Sequence, residues 1–308
     1  MTLPDPVALA IPGFIVLIVA ELLIARWKDR ALYCPRDTLT SLLLGFGSTL
    51  AGLLSVGILF ALGSWLHRFA LLPIGFTALA FVACFVLDDL LYYAFHRSAH
   101  RVRWFWASHV IHHSSQHYNL STALRQTWTG FISLAFLFRL PLFLIGFPPA
   151  MVVFCGGLNL VYQFWIHTAV VDRLPRPIEA VMNTPSHHRV HHAINPLYLD
   201  RNYAGVFIMW DRLFGTFVAE RADERIRFGI VHQLGSFNLP WAAFHEWVGI
   251  ARDVAHAPGW RAKLNYMIRE PGWSHDASRD TSAMLRARAG LTPPDPHHQK
   301  ETADVQAA

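Results

Sequence analysis

Three groups of histidines carry the chemistry that this sequence can do. His96-x-x-x-His100 is followed, after eight intervening residues, by His109-x-x-His112-His113, and far downstream by His188-x-x-His191-His192, with His187 just ahead. On a helix, residues three and four apart share a face. Each group can therefore aim two or three imidazoles at one point. Nine such rings are more than one metal ion uses, and two ions can use them. Imidazole suits iron, zinc, copper and nickel. The Glu-x-x-His pattern of soluble ferritin-like di-iron proteins is missing. His167 is a candidate extra ligand, because a hydrophobic segment delivers it to the same side.

Asp88 and Asp89 lie just upstream. At 100° per residue, Asp89 falls on the helix face of Tyr93, His96 and His100, where a carboxylate would fix the tautomer of a ligating histidine. Asp88 points about 100° away and would serve another ring. Both residues also fit an acidic cap at a membrane boundary. Asn202 and Asp211, with Asp200, are candidate partners of the third group. Tyr118 and Arg125 follow the second group and are candidate substrate contacts, Arg125 through a lipid phosphate. Asn119 and Thr122 read as loop-holding residues.

The elements that position these residues are hydrophobic. Of 308 residues, 53% are hydrophobic and 15% charged, against about 25% charged in soluble domains. Leu39 to Leu66, Leu71 to Leu87 and Leu140 to Ile166 contain no acidic or basic residue. A bilayer crossing takes ~20 apolar residues. The expected fold is all-α and polytopic, with four or five membrane-embedded helices. These are about 7–25 (interrupted at Pro12-Gly13), one within 39–66, 71–96, 127–145 and 150–166. The last two are barely long enough and also fit a shallow pair. The first is read as a retained anchor. Arg139, inside the fourth segment, is read as snorkelling to the outer surface.

Arg26, Lys28, Arg30 and Arg36 follow the first segment, and Arg97, Arg101 and Arg103 follow the third. The positive-inside rule makes both loops cytoplasmic. That orientation brings all three histidine groups to the cytoplasmic face, under a helical cap. The net charge of +5 flanks hydrophobic runs, which points to anionic lipid and away from nucleic acid. Residues 1–278 read as a single membrane-embedded domain with its histidine region at 88–216, and 279–308 as a polar, disordered tail.

A metal pair where helices leave the bilayer can be reached by a lipid tail that stays in an apolar environment. Attack on a C–H bond needs a metal that takes O₂ through several oxidation states, which favours iron. A zinc-dependent hydrolase and a non-catalytic metal-binding membrane protein remain alternatives. Trp104 to Gln126, Thr184 to His192, Asn202-Tyr203-Ala204-Gly205 and Trp210 to Thr216 resemble the fatty acid hydroxylase and sterol desaturase superfamily. In motif they are similar to its alkylglycerol monooxygenase branch. The resemblance implies a di-iron, O₂-dependent lipid hydroxylase, monooxygenase or desaturase. It also implies an external electron donor and redox partner, and the nine motif histidines as metal ligands or their immediate neighbours. One position departs: Arg101 stands where the animal ether-lipid enzymes often carry an acidic residue.

Overall fold

The computed structural model describes residues 3–291, and all the regular elements among them are helices, with two isolated bridges and no strand. Helix α1 (Pro6–Trp27) starts where the Asp5 carboxylate accepts from the Val7 and Ala8 amides, with Pro6 supplying the first helical φ. It runs unbroken through Pro12, so the interruption expected there does not occur. Helix α2 (Pro35–Leu66) has 32 residues and is about 48 Å long at 1.5 Å per residue. That exceeds the ~30 Å hydrocarbon core. Its surplus is the N-terminal end, where Asp37, Thr40, Ser41 and Leu44 are buried. Helix α3 (Ala78–Arg101), capped by Thr77, ends in the first histidine pair.

These three helices are long and apolar enough to cross a membrane. Only 11% of the apolar window of α1 and of α2 is buried, against 28% for α3. The first two therefore turn most of their apolar side chains outward, and α3 is the inner helix.

The two further expected segments are shorter. The stretch 127–145 is not one helix but α5 (Gly130–Ser133), a 3₁₀ turn (Ala135–Arg139) and α6 (Leu140–Ile145). Leu134 adopts φ +60 between the first two, and Pro141 lacks the amide that would continue the turn into α6. At Gly146, φ is +124, and a Cβ would fall 2.0 Å from the Leu72 carbonyl oxygen. Only glycine fits this reversal into α7 (Pro149–Trp165). Leu59, Cys84, Leu142, Phe143, Met151 and Cys155 form the core among α2, α3, α6 and α7.

Arg139 does not snorkel. Its Nε lies 2.6 Å from Oδ1 of the fully buried Asp88, because a charge at this depth is stabilised by an opposite one.

Val102 is extended and separates α3 from α4 (Arg103–His113) after a single residue, turning α4 back toward the end of α3. The rest is short helices and loops: α8 (Arg176–Val181), α9 (Pro185–His191), α10 (Met209–Leu213), α11 (Leu239–His256), α12 (Gly259–Ile268) and α13 (Ser282–Arg288). Helices α11 and α12 close over α4. Arg103 binds Glu246 and Asp253 of α11, each at 2.6 Å, and the Arg269 carbonyl accepts from its amide. Residues 279–291 of the expected tail are described and pack on the rest of the chain. Arg279 pairs with Asp253, and α13 is tied in by Arg286, which donates to the Leu199 carbonyl at 2.7 Å. Residues 292–308 of that expected tail lie outside the described residues.

Candidate metal centre

The structure sorts the histidines into two groups whose donor nitrogens lie within 4.8 Å of one another. One holds His96, His100, His109, His113 and His191; the other holds His112, His167, His188 and His192. Each H-x-x-H-H motif is divided between them. Positions i and i+4 lie 40° apart on a helix, while i+3 lies 60° to the other side of i. His109 and His113 of α4 therefore enter the first group and send His112 to the second. His188 and His192 enter the second group and send His191 to the first. The two groups touch, with the His113 and His192 rings stacked at 4.3 Å.

Contacts at the far nitrogens fix the tautomers. His96 Nδ1 faces the Tyr203 carbonyl at 2.7 Å, His112 that of Arg125 at 3.2 Å, His167 that of Gln163 at 2.7 Å and His191 that of Arg201 at 3.0 Å. A carbonyl oxygen only accepts, so these Nδ1 atoms carry the proton and the Nε2 atoms are bare lone pairs. Yet His112 Nε2 and His167 Nε2 stand 3.1 Å apart. Neither can donate to the other, so the contact is not a hydrogen bond. A cation held by both would resolve the repulsion, since a neutral imidazole ligates metal through its bare nitrogen. The other close Nε2 pairs lie at 2.9 to 3.2 Å. His100 Nε2 is buried with no hydrogen-bond partner among the described residues.

Burial pushes the imidazoles of His109, His113, His188, His191 and His192 far below the usual histidine range, and the neighbouring rings push them further. Burial likewise brings His112 down to about 4. These rings are neutral at physiological pH, the form that ligates metal. The donor set is all imidazole and largely buried, and it fits a pair of transition-metal ions.

Several expected partners lie elsewhere. His187 joins neither group; its Nε2 sits 3.0 Å from the Glu179 carboxylate, because its place on α9 turns it away from the centre. Burial pushes the Glu179 carboxyl up, but bonds from His187, the Leu174 amide and Ser186 outweigh that and leave it at about 2. Asp88 binds Arg139, not a histidine. Asp89 accepts from the Val206 and Phe207 amides, Trp210 Nε1 and Asn159 Nδ2 at 2.8 to 2.9 Å, clamping the 205–210 loop to α3. Gly205 is pressed into this clamp, where a Cβ would meet Asp89, Asn159 and Tyr92 at 2.8 Å.

Asp211 accepts from the amides of Tyr203 and Ala204 at 2.8 Å, so it supports His96 at one remove, through the Tyr203 carbonyl. Burial raises its carboxyl to about 6, against bonds from Thr216 and those two amides. Asn202 donates to the His187 and Val218 carbonyls and orders the same loop.

The carboxylate that does reach a grouped histidine is Asp200, 3.6 Å from His100 Nδ1. It serves the first motif, not the third. The four carbonyl partners had no sequence signal, since every residue has a carbonyl.

The two candidate substrate contacts are internal. Arg125 is buried, and its guanidinium binds Ser114, the Ile111 carbonyl and Asp37 of α2. Tyr118 donates to the Ile166 carbonyl at 3.0 Å, and its ring packs 5.3 Å from His192. Asn119 and Thr122 form the reciprocal cap of the 3₁₀ turn Leu120–Leu124, as expected of loop-holding residues. One buried anchor escaped the sequence reading. Glu21 of α1 accepts from the Leu120 amide at 2.7 Å, from Tyr33 and from Thr168, the neighbour of His167.

Three helices of membrane-spanning length, one of them ending in the first of two adjoining sets of imidazoles that could hold metal, define a histidine-rich membrane protein. Residues 81–216, the histidine-bearing region, match the fatty acid hydroxylase family. Human alkylglycerol monooxygenase is 40% identical over 275 residues, covering 88% of this chain and 60% of the human protein. The alkylglycerol monooxygenase of Caenorhabditis elegans is 40% identical over 201 residues, 62% of this chain and 39% of its own length. An ornithine lipid hydroxylase from Rhizobium tropici is 28% identical over 132 residues, 43% of this chain and 40% of its own. The chain thus spans about 60% of the length of the vertebrate relatives it matches. No solved structure matches it.

Proposed function

We propose that this protein is a membrane di-iron monooxygenase that uses O₂ to oxidise the alkyl part of a lipid, with the reducing electrons supplied by an external donor. The observation that carries the reading is the 3.1 Å contact of the bare His112 and His167 nitrogens within a nine-imidazole pair of groups. Iron bound there supplies O₂ activation, the chemistry that attack on an unactivated C–H bond requires. The likeness to alkylglycerol monooxygenases and to an ornithine lipid hydroxylase supports a lipid substrate with an alkyl chain.

The protein's own residues have three tasks in this scheme. His96, His100, His109, His113 and His191 hold one ion, and His112, His167, His188 and His192 the other. The carbonyls of Tyr203, Arg125, Gln163 and Arg201 keep the Nδ1 protons in place, so each Nε2 stays available. Asp89, Asp211 and Asn202 fix the loop that carries two of those carbonyls. Helix α3, one of the spanning helices, ends in this centre, and a lipid chain reaching the centre from the bilayer is the substrate route this reading requires. The basic residues after α1 and α3 support a cytoplasmic orientation.

The test is anaerobic purification in mild detergent, elemental analysis and Mössbauer spectroscopy, followed by exposure to O₂ in the presence of extracted membrane lipid. Two irons per chain that change state with O₂ and yield an oxygenated lipid are expected. Zinc in both sites of protein grown with ample iron, with no response to O₂, refutes the reading.

A further inference from the structure

A second feature lies just outside the histidine centre and is not used by it. A cavity of about 190 Å³ is lined by four arginines, Arg97 and Arg101 of α3, Arg201 of the loop between α9 and α10 and Arg286 of α13, together with Asp200 and Phe214. Arg97 and Arg101 share a helix face, one turn apart. Arg201 sits between Asp200 and Asn202, both in the left-handed region at φ +56 and +55. Its carbonyl goes inward to His191, the residue lines the cavity, and its Nη1 donates to the carbonyl of Gly215, another lining residue, at 3.5 Å.

The charges in this cavity do not balance. Asp200 faces Arg101 at 3.4 Å, and Glu270 faces the same arginine at 3.6 Å from outside. Among the described residues, Arg97 has only the Tyr93 hydroxyl at 3.2 Å, and Arg286 only the Leu199 carbonyl. Arg201 is 9% exposed, and its Nε has no partner among the described residues. A buried guanidinium donor left unpaired is costly. Two carboxylates therefore offset two of four positive charges, and the remainder matches the roughly −1.5 to −2 charge of a phosphate group.

We propose that this cavity is an anion site that takes a phosphate group, beside the first set of histidines and one carboxylate away from His100. Guanidinium groups bind phosphate oxygens in pairs of parallel hydrogen bonds, and the free Arg201 Nε supplies one such donor. The phosphate can belong to a lipid headgroup or be free in solution. The rim favours the lipid: Phe214, 46% exposed, lines the cavity, and Leu213 next to it is 70% exposed. An acyl chain attached to the bound phosphate has an apolar surface to follow.

The experiment is a thermal-unfolding titration of the full chain in detergent, at constant ionic strength. The probes are inorganic phosphate and a short-chain phosphatidic acid below its micelle concentration. A saturable rise in Tm is expected for the wild type. Its midpoint should move about tenfold or more toward higher concentration in Arg286→Gln, the loss of one charged hydrogen-bonding partner. It should vanish in Arg201→Gln/Arg286→Gln. Should the double variant not fold, Arg286→Gln alone still decides, because that side chain is half-buried at the edge. Phosphatidic acid binding tenfold or more tighter than phosphate assigns the site to a headgroup, and equal binding assigns it to the free anion. No saturable response to either probe, or an unchanged response in Arg286→Gln, overturns the proposal. Binding is read without turnover, so its failure and that of the oxygenase reading are separate results.

Discussion

Replacing His167 with Ala tests the assignment of the second metal group at the residue its sequence motif does not announce. The substitution removes one of four donor nitrogens, and its loss leaves His112 and His188 without the ring that stands 3.1 and 2.9 Å from their own Nε2 atoms. Loss of a residue that merely orients a ligand typically costs 10–100-fold in metal affinity. Loss of the ligand itself should cost at least the upper end, ~100-fold, or about 2.7 kcal/mol. His187→Ala is the control from within the same run of histidines. It removes a bond to Glu179 and an edge contact with Phe217, which is about 1 kcal/mol of stability, and no metal donor. Both variants should be dialysed against buffered Fe(II), and bound iron per chain measured alongside Mössbauer spectra. His167→Ala should lose the iron of one group and keep that of the other, while His187→Ala keeps both with a slightly lower Tm. Wild-type iron affinity in His167→Ala, or iron loss in His187→Ala to match it, would refute the tautomer argument on which the site rests.

Two further outcomes follow from the surroundings of the centre. Arg139→Leu leaves Asp88, which is fully buried, without its counter-charge and should cost about 3–5 kcal/mol. The double change Arg139→Leu/Asp88→Leu should cost less than the single one, as a Tm series would show; equal or greater loss in the double variant argues against the ion pair. Gly205→Ala forces a methyl to within 2.8 Å of Asp89, Asn159 and Tyr92 and should destabilise by about 1–3 kcal/mol. Its effect should extend to iron affinity, because the same loop carries the Tyr203 carbonyl to His96; a fully stable, fully loaded variant would show that the clamp is slack.

The sequence by itself determined the class of the fold and most of the centre. Uncharged runs of membrane length point to helices, because a backbone in lipid must satisfy its own hydrogen bonds, although the run 140–166 breaks at Gly146. Histidine spacing of three and four on such helices fixes which rings converge. Eight of the nine grouped histidines belong to the three motifs, and the ninth, His167, is marked only by its place at the end of a hydrophobic segment.

The supporting contacts were decided by tertiary structure. The helical wheel puts Asp89 on the face of His96, yet Asp89 is turned to the 205–210 loop and a carbonyl from that loop reaches the histidine instead. Backbone carbonyls are the same in every residue, so no side-chain pattern marks the four that hold the tautomers. His187 is identical in type to its neighbours and is excluded by about 100° of helix rotation. Arg125 resembles a phosphate ligand until Asp37, 88 positions away, is folded against it. The four arginines of the outer cavity come from three separate parts of the chain, and the tie of α13 to the Leu199 carbonyl brings Arg286 to the others.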